Sequence, residues 1–298
     1  MDNKKLKSEN NKLVIAISSR ALFNLDQSHK IFKEKGIEAY AKHQQENEHV
    51  ILEPGVGFTL VKKLLKLNSK KTPIDVILLS RNSADTGLRI FNSIEHYDLN
   101  ISRAAFTRGE STHPFVGAFE ADLFLSSNYN DVQKALQSGY AAASIVESKS
   151  NNSHPSQLRI AFDGDAVIFS DESERIFQEK GLEAFHENEI LSEKIELKAG
   201  PFKSFLVSLQ KIQSTFPEED NPIRTALVTA RSAPSHRRVI HTMRKWGIRI
   251  DESFFLGGLE KGVFLRQFAA DIFFDDQQQH CESASQYVPT GHVPSGIK

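Results

Sequence analysis

A long internal repeat constrains the fold of this chain more than any other feature of its sequence. The 28 residues from Leu13, LVIAISSRALFNLDQSHKIFKEKGIEAY, align without a gap to the 28 residues from Leu158, LRIAFDGDAVIFSDESERIFQEKGLEAF, at an offset of 145. Thirteen of the 28 pairs are identical, where ordinary composition gives about two by chance. The repeat predicts that the chain arose by duplication and folds as two similar units.

Two further blocks recur in the same order at an offset of 149. PIDVILLSRNSA at Pro73 matches PIRTALVTARSA at Pro222, and ISRAAFTRGESTHPFVGAFEADLFLSSN at Ile101 matches IDESFFLGGLEKGVFLRQFAADIFFDDQ at Ile250. The second copy therefore carries four more residues than the first between the first and second blocks. Matching order across three blocks favours duplication over two unrelated units with similar patterning.

The boundaries of the two units follow from composition. SKSNNSHP at 148–155 is polar and rich in turn-forming residues, as a linker is. We expect a first unit at 13–150 and a second at 151–298. The polar segment 1–12 has little to bury, so we expect a disordered tail there.

Short apolar runs alternate along the chain with amphipathic stretches. Such buried strands separated by helices predict an α/β fold with a mainly parallel sheet. The predicted strands are Leu13–Ile17, Asp75–Leu79, Leu158–Phe162, Thr225–Val228 and Asp271–Phe274, and the clearest predicted helices are Phe58–Leu67, Phe202–Ile212 and Ser235–Trp246.

Charge and composition exclude several classes of protein. Lys plus Arg is 37 and Asp plus Glu is 38, a net charge of -1, so we expect neither nucleic acid nor an anionic membrane as partner. Apolar runs such as Val76–Leu79 are too short to span a bilayer. The lone Cys281 cannot form an internal disulfide, which fits a reducing, cytoplasmic location. The sequence leaves the formation of a homo-oligomer open.

The two copies differ mainly at the predicted strand ends, where α/β sheets bind ligands. The second copy has Asp163-Gly164-Asp165 after one strand, Thr229 after the next, then Lys261, and Asp275-Asp276 after a third strand. The aligned residues of the first copy carry neither these acids nor the lysine; they are Ser18, Ser19, Arg20, Ser80, Thr112, Ser126 and Ser127.

These groups have a shared chemical use if the strand ends meet. Asp163 and Asp165 should point the same way from an extended segment, because side chains alternate with period two. Clustered carboxylates call for a cation, and hard oxygen ligands suit magnesium. Thr229 could donate a hydrogen bond to phosphate, and Lys261 could balance the acids. The alternative is an ordinary Asp-Gly turn and a solvated Asp-Asp loop.

Two basic features near this constellation have less certain roles. Arg231 follows Thr229 closely, so contact with phosphate or base and a salt bridge are both open. Arg237, Arg238, Arg244 and Lys245 make one basic helix region, which we expect to be a solvated face.

The order DxD, strand-ending Thr, Lys and DD resembles the haloacid dehalogenase (HAD) superfamily of aspartate-based phosphohydrolases. The longer runs AFDGDAVIFSDESE at Ala161, VTARSAP at Val228, WGIRIDESFFLGGLEKG at Trp246 and IFFDDQ at Ile272, with SSRALFN at Ser18, resemble the cytosolic 5'-nucleotidase type I family. The resemblance runs from about Leu13 to Gly296. It implies a three-layer α/β/α sandwich for each half, with the first half a degenerate copy and the second catalytic.

The resemblance also implies roles for single residues. Asp163 would be the nucleophile that forms an aspartyl phosphate, and Asp165 the acid and base, with its backbone carbonyl toward the metal. Thr229 and Lys261 would hold the phosphoryl group. Mg2+ would be bound around Asp163, Asp165, Asp275 and Asp276, with Asp276 weakly favoured over Asp275 as the direct ligand. Gly164, Thr229, Ala230 and Arg231 would line the substrate site.

The implied reaction is hydrolysis of nucleoside 5'-monophosphates, with AMP favoured. A short helical cap at about 171–197 would cover the site, with the first half completing the nucleoside pocket or forming an effector site. Two alternatives stay open at this point: a phosphatase of the same superfamily acting on another phosphate ester, and a nucleotide-binding protein without catalysis.

Overall fold

The computed structural model describes residues 12–146, 148 and 154–296. These residues form ten strands and eleven α-helices. The strands are β1 Leu13–Ser18, β2 Ile74–Ser80, β3 Arg103–Phe106, β4 Leu123–Ser126, β5 Ala141–Val146, β6 Leu158–Phe162, β7 Ile223–Thr229, β8 Glu252–Phe255, β9 Ile272–Asp275 and β10 Thr290–His292. The helices are α1 Ser19–Leu22, α2 Asp26–Glu46, α3 Phe58–Leu67, α4 Leu88–His96, α5 His113–Ala118, α6 Tyr129–Gln137, α7 Glu172–Leu191, α8 Lys203–Gln213, α9 His236–Trp246, α10 Gly262–Phe268 and α11 Gln278–Ala284.

All ten strands belong to one sheet, whose order is β3-β2-β1-β4-β5-β10-β9-β6-β7-β8. Counted from the outer edge to the centre of the sheet, the first repeat has the order β3-β2-β1-β4-β5 and the second the equivalent order β8-β7-β6-β9-β10. Pairing is parallel within each half, and the halves join through the antiparallel pair β5 and β10. The predicted α/β fold with a mainly parallel sheet is confirmed.

The sheet is buried on both faces, because strand residues alternate between two layers of helices. On β1, Ile15 belongs to a core that also contains Ile160 of β6, so this layer is shared by both halves. Ala16 packs with α5 and α6 in a core of the first half alone. Ala161 packs with α10 and α11 in a separate core of the second half. The architecture is a three-layer sandwich in which one layer crosses the boundary between the repeats.

Polar contacts also cross between the repeats. Lys63 of α3 donates from Nζ to both carboxylate oxygens of Asp271, at 2.7 and 2.8 Å. It also donates to the carbonyls of His154 and Gln157, at 2.6 and 2.8 Å. The Asp271 side chain is fully buried, so this contact fixes the first half against the start of β9.

The predicted element positions agree with the structure to within two residues. Residues 1–11 of the expected tail at 1–12, and residues 149–153 of the linker at 148–155, lie outside the described residues. The division into units at 13–150 and 151–298 stays a prediction, since a shared sheet and core do not show where folding units end. Among the residues that the structure describes, no helix has the length and apolar character needed to cross a membrane.

The predicted cap corresponds to α7, a helix bent at Gly181, where φ is 81°. The first repeat has the matching helix α2, bent at Gly36 with φ also 81°. Both glycines adopt a backbone conformation that residues with a Cβ avoid. The cap-like element is therefore part of the duplicated unit, whereas the sequence reasoning assigned a cap only to the second half.

Candidate active site

Three neighbouring strands bring the acids of the second half together. Asp163 follows β6, Asp275 ends β9 and Thr229 ends β7, and the sheet order β9-β6-β7 places these strands side by side. Because the strands are parallel, their carboxyl ends meet at one edge of the sheet. Lys261, the residue before α10, reaches the same edge.

Lys261 is the central cation of this edge. Its Nζ lies 3.0 Å from Asp163 Oδ1 and 2.6 Å from Asp275 Oδ2. All three side chains are buried, at 5, 9 and 0% exposure. A buried lysine is stable only when paired, so these contacts fix the ammonium group between the two carboxylates.

The acids respond differently to this environment. Burial raises the pKa of Asp163, and the charge of Lys261 opposes the rise without cancelling it. Burial also favours a higher pKa for Asp275, but Lys261 and His280 outweigh it and hold the pKa of Asp275 below its usual value. Lys261 itself has a raised pKa, because the carboxylates outweigh the effect of burial. The lysine is thus fully protonated beside the carboxylates.

Asp163, Asp275 and Asp276, here called the acid cluster, can present carboxylate oxygens within 4.8 Å of one another. Asp275 is already engaged, since its Oδ2 contacts Lys261 and its Oδ1 accepts a 2.8 Å hydrogen bond from Gln277 N. Burial, followed by the charges of Asp163 and Asp275, raises the pKa of Asp276 to about 9. An excess of carboxylates of this kind fits a divalent cation with hard oxygen ligands, and Mg2+ is one such ion.

Asp165 lies two residues beyond Asp163 but has a different partner. The chain turns at Gly164–Ile168, with Ala166 at φ 56°. The Asp165 carboxylate accepts two hydrogen bonds of 2.7 Å from the fork of Arg231, at Nε and Nη2. The side chain of Asp165 is therefore directed to an arginine, while that of Asp163 faces Lys261.

Arg231 also connects Asp165 to the cap helix. Its Nη1 donates to Glu189 Oε2 of α7 at 2.5 Å, and its Cζ lies 5.4 Å from the centre of the Phe185 ring. The carboxylates of Asp165 and Glu189 outweigh burial and raise the pKa of Arg231. Of the two roles left open for Arg231, the structure shows the salt bridge, at a buried position between cap and strand end.

Sequence reasoning missed Glu189 and misplaced Arg238. Arg238 is buried and contacts Glu189 Oε1 at 2.9 Å and Glu172 Oε1 at 3.0 Å, so the expectation of a solvated face is wrong for this residue. The helical spacing could have indicated this burial, because Arg238 lies four residues before Thr242, on the buried face of the same helix. A buried arginine requires a buried acid, which is Glu189.

The remaining predicted substrate-site residues flank the acid cluster. Thr229 is buried, and its Oγ1 accepts a hydrogen bond from Arg231 N at 3.2 Å. A Cβ at Gly164 would lie 3.4 Å from Thr229 Oγ1, so glycine leaves this hydroxyl uncrowded. Ala230, which lies between Thr229 and Arg231 in the chain, is exposed to solvent.

A stacked pair joins the acid cluster to the first half. His292 of β10 lies 2.9 Å from the carbonyl oxygen of Asp276 through its Nε2. The His292 ring stacks on Tyr129 of α6, with centroids 6.1 Å apart and planes inclined by 22°. Tyr129 follows Asn128, whose side chain caps α6.

Comparison with known proteins identifies the family. Residues 5–298 match the family model described as 5'-nucleotidase. Human cytosolic 5'-nucleotidase 1B is 40% identical to the chain over 290 residues, which is 93% of this chain and 48% of that protein. The chain thus spans about half the length of this curated relative. No solved structure matches the chain. With the acid cluster and Lys261 at the strand ends and a family match over nearly its whole length, the chain belongs to the 5'-nucleotidase family.

Proposed function

We propose that this chain is a magnesium-dependent 5'-nucleotidase that hydrolyses nucleoside 5'-monophosphates, with AMP the favoured substrate. The observation that carries the proposal is the buried carboxylate of Asp163, 3.0 Å from the Lys261 ammonium at the meeting point of three parallel strand ends. A nucleophile and a cation in this arrangement suit transfer of a phosphoryl dianion. Membership of the 5'-nucleotidase family supports the same reaction.

The reaction proceeds in two displacements at phosphorus. Asp163 Oδ attacks the phosphorus atom, the bond from phosphorus to the nucleoside oxygen breaks, and Asp165 gives its proton to that oxygen. A water molecule then attacks the aspartyl phosphate, and Asp165 takes up the water's proton. Phosphate leaves and the carboxylate of Asp163 is restored.

Asp165 must change partner during this cycle. The contact with Arg231 occupies both carboxylate oxygens of Asp165, and proton transfer requires one of them to reach the leaving oxygen. Asp165 therefore turns from Arg231 toward the leaving oxygen when substrate enters. Because Arg231 also contacts Glu189 of the cap helix, this exchange is coupled to the position of α7.

Other residues hold the phosphoryl group during the transfer. Lys261 balances the charge that develops on the phosphoryl oxygens, at a buried position where its field is weakly screened. Thr229 Oγ donates a hydrogen bond to one of these oxygens. Gly164 leaves the approach to Thr229 open, and the exposed Ala230 borders the entrance.

Asp163, Asp276 and the already engaged Asp275 are the side chains that would bind Mg2+, together with the backbone carbonyl of Asp165. The ion would neutralise the acid cluster and withdraw charge from the phosphoryl oxygens. The clustered oxygens within 4.8 Å support this assignment. The availability of its side chain favours Asp276 over Asp275 as a direct ligand.

The cap helix offers a surface for the base of the nucleotide. Phe177 is 44% exposed and meets Phe185 edge-to-face, with centroids 6.3 Å apart. Phe185 in turn lies under Arg231, which is bonded to Asp165. We assign the exposed Phe177 ring to contact with the base, with the buried Phe185 ring supporting it, because an exposed aromatic ring next to a polar site suits a planar ligand.

The test is release of phosphate from AMP with and without Mg2+. We expect metal-dependent release that Asp163→Asn abolishes. Asp131→Asn is the matched control, since it removes a buried carboxylate from the first half and should retain turnover in protein that is shown to be folded. Turnover that persists in Asp163→Asn would refute the mechanism.

A substrate panel separates this proposal from its alternatives. IMP, deoxynucleoside monophosphates and sugar phosphates should be hydrolysed with lower kcat/KM than AMP. Preference for a sugar phosphate would make the protein a phosphatase for another ester. No release from any member, by folded protein with Mg2+, would favour nucleotide binding without catalysis.

A further inference from the structure

The first half contains a cavity at the strand ends that correspond to the acid cluster. Its volume is about 820 Å3, and its lining includes Ser18 at the end of β1, Thr112 before α5 and Ser126 at the end of β4. These residues align with Asp163, Lys261 and Asp275. Ligand sites in proteins typically have volumes of about 300–1,000 Å3. The cavity is therefore large enough for a small molecule at the position of the lost catalytic centre.

The aromatic surface over this cavity repeats that of the catalytic half. Phe32 of α2 lines the cavity and is 46% exposed, like Phe177 at 44%. Phe32 meets Tyr40 with centroids 6.1 Å apart and an angle of 82°, and Phe177 meets Phe185 at 6.3 Å and 81°. Loss of catalysis would not by itself preserve an exposed aromatic ring in the same geometry.

The floor of the cavity offers hydrogen-bond donors in place of acids. Arg20 Nε and Asn82 Nδ2 are buried and have no hydrogen-bond partner among the described residues, and both residues line the cavity. The hydroxyls of Ser18 and Ser126 lie on the same floor, and the exposed Arg108 stands at its margin. Buried donors without partners are costly, and a ligand rich in acceptor oxygens would satisfy them.

The buried carboxylate in the cavity lining is already paired with an arginine. Asp131 accepts from Arg81 at Nε and Nη2, at 2.9 and 2.7 Å, and from Thr112 Oγ1 at 3.2 Å. The other lining acids, Glu38 and Asp85, are exposed. A phosphate group could thus enter without a metal ion, and no carboxylate replaces Asp163 as a nucleophile.

We propose that the first-half cavity binds a nucleoside phosphate and does not cleave it. The phosphate lies on the serine hydroxyls and Arg20, and the base packs on Phe32. This second site is distinct from the catalytic centre, and binding to it requires neither the metal ion nor Asp163.

The test is calorimetric titration of the full chain with AMP, and in parallel GMP, CMP and UMP, in EDTA. Binding that is weakened by a substitution at Phe32 or Arg20 reports the first-half cavity, because both residues line it. Phe32→Ser and Arg20→Ala should each weaken that binding about tenfold or more, as expected for the loss of one stacking or charged contact. The matched variant Phe177→Ser should leave it within about twofold.

The result is independent of the catalytic proposal. Asp163→Asn should retain binding in EDTA while losing phosphate release with Mg2+. Each variant is first shown to be folded by its circular dichroism and urea midpoint. Absence of binding of all four nucleotides by folded wild-type protein, or binding that Phe32→Ser leaves unchanged, would overturn the second site.

Discussion

Arg231→Met tests the connection between the proposed acid and the cap helix. The change removes three charge-assisted hydrogen bonds, two to Asp165 at 2.7 Å and one to Glu189 at 2.5 Å. The Arg231 side chain is 3% exposed, so water replaces these bonds only where a partner carboxylate is itself partly exposed. Removal of one partner from a buried ion pair typically costs about 3–5 kcal/mol.

The structure places the expected loss at the lower end of that range. Glu189 keeps Arg238 Nη1 at 2.9 Å and Ser173 Oγ at 2.9 Å, so it remains paired. Asp165 loses both bonds but is 17% exposed and can recover some hydration. We expect a free energy of unfolding lower by about 3 kcal/mol. Arg231→Met combined with Asp165→Asn should recover about 1–2 kcal/mol, because the unpaired charge is gone.

Urea unfolding at pH 7, followed by circular dichroism, measures both quantities if the denaturant slope is unchanged. Arg231→Lys is the control, since it keeps the charge but not the fork and should lie between wild type and Arg231→Met. A loss below about 1 kcal/mol for Arg231→Met would show that the contact does not hold the two elements together. Strict additivity in the double variant would refute direct coupling between Arg231 and Asp165.

Three further changes test other parts of the structure. Lys63→Met should lower the free energy of unfolding by about 2–4 kcal/mol in urea titrations, because it removes a cation that contacts the buried carboxylate of Asp271; an unchanged midpoint would contradict a structural role between the halves. Burial raises the pKa of Asp131, but Arg81 and Ser111 outweigh it and hold that pKa below its usual value. The stabilisation is therefore complete above the unfolded-state pKa, about 3.9, and is lost as the pH falls through the lower folded-state pKa. The deficit in free energy of unfolding that Asp131→Asn shows at pH 7 should shrink in acid, and a deficit that stays constant would refute this contribution. Mg2+ at about 100 times its Kd should stabilise the wild type by about 2.7 kcal/mol, and calorimetric melting should show that Asp276→Asn loses most of this shift.

The fold could be predicted from the sequence because its signals are local and repeated. Leu158–Phe162 is a continuous apolar run, as a strand buried on both faces requires, and its observed bounds are those predicted. The repeat predicted that the two halves share the same arrangement of strands and helices. The union of both halves in one sheet could not be read, because β10 is only three residues long and its pairing with β5 depends on tertiary contact.

The candidate site was predictable where chemistry resides in single strand ends. Asp163, Lys261 and Asp275 differ between the copies, and that contrast marked them before their distances were known. Glu189 lies past the end of the first aligned block at Phe185, so the comparison of the copies did not reach it. Its partner Arg238 also has an arginine counterpart, Arg89, which contacts Gln44 as Arg238 contacts Glu189, so the arginine shows no contrast between the copies.

The two copies differ most in how they balance charge at the same sheet edge. In the second half the ammonium of Lys261 contacts the carboxylates of Asp163 and Asp275, and Asp276 completes a cluster of three acids. In the first half Arg81 and Asp131 cancel. Acids outnumber the lysine at the second-half edge, an arrangement that fits a divalent cation. At the first-half edge the buried Asp131 is already paired with Arg81, which suits the anion site proposed above. The stacked rings of Tyr129 and His292 connect this edge to the backbone of Asp276.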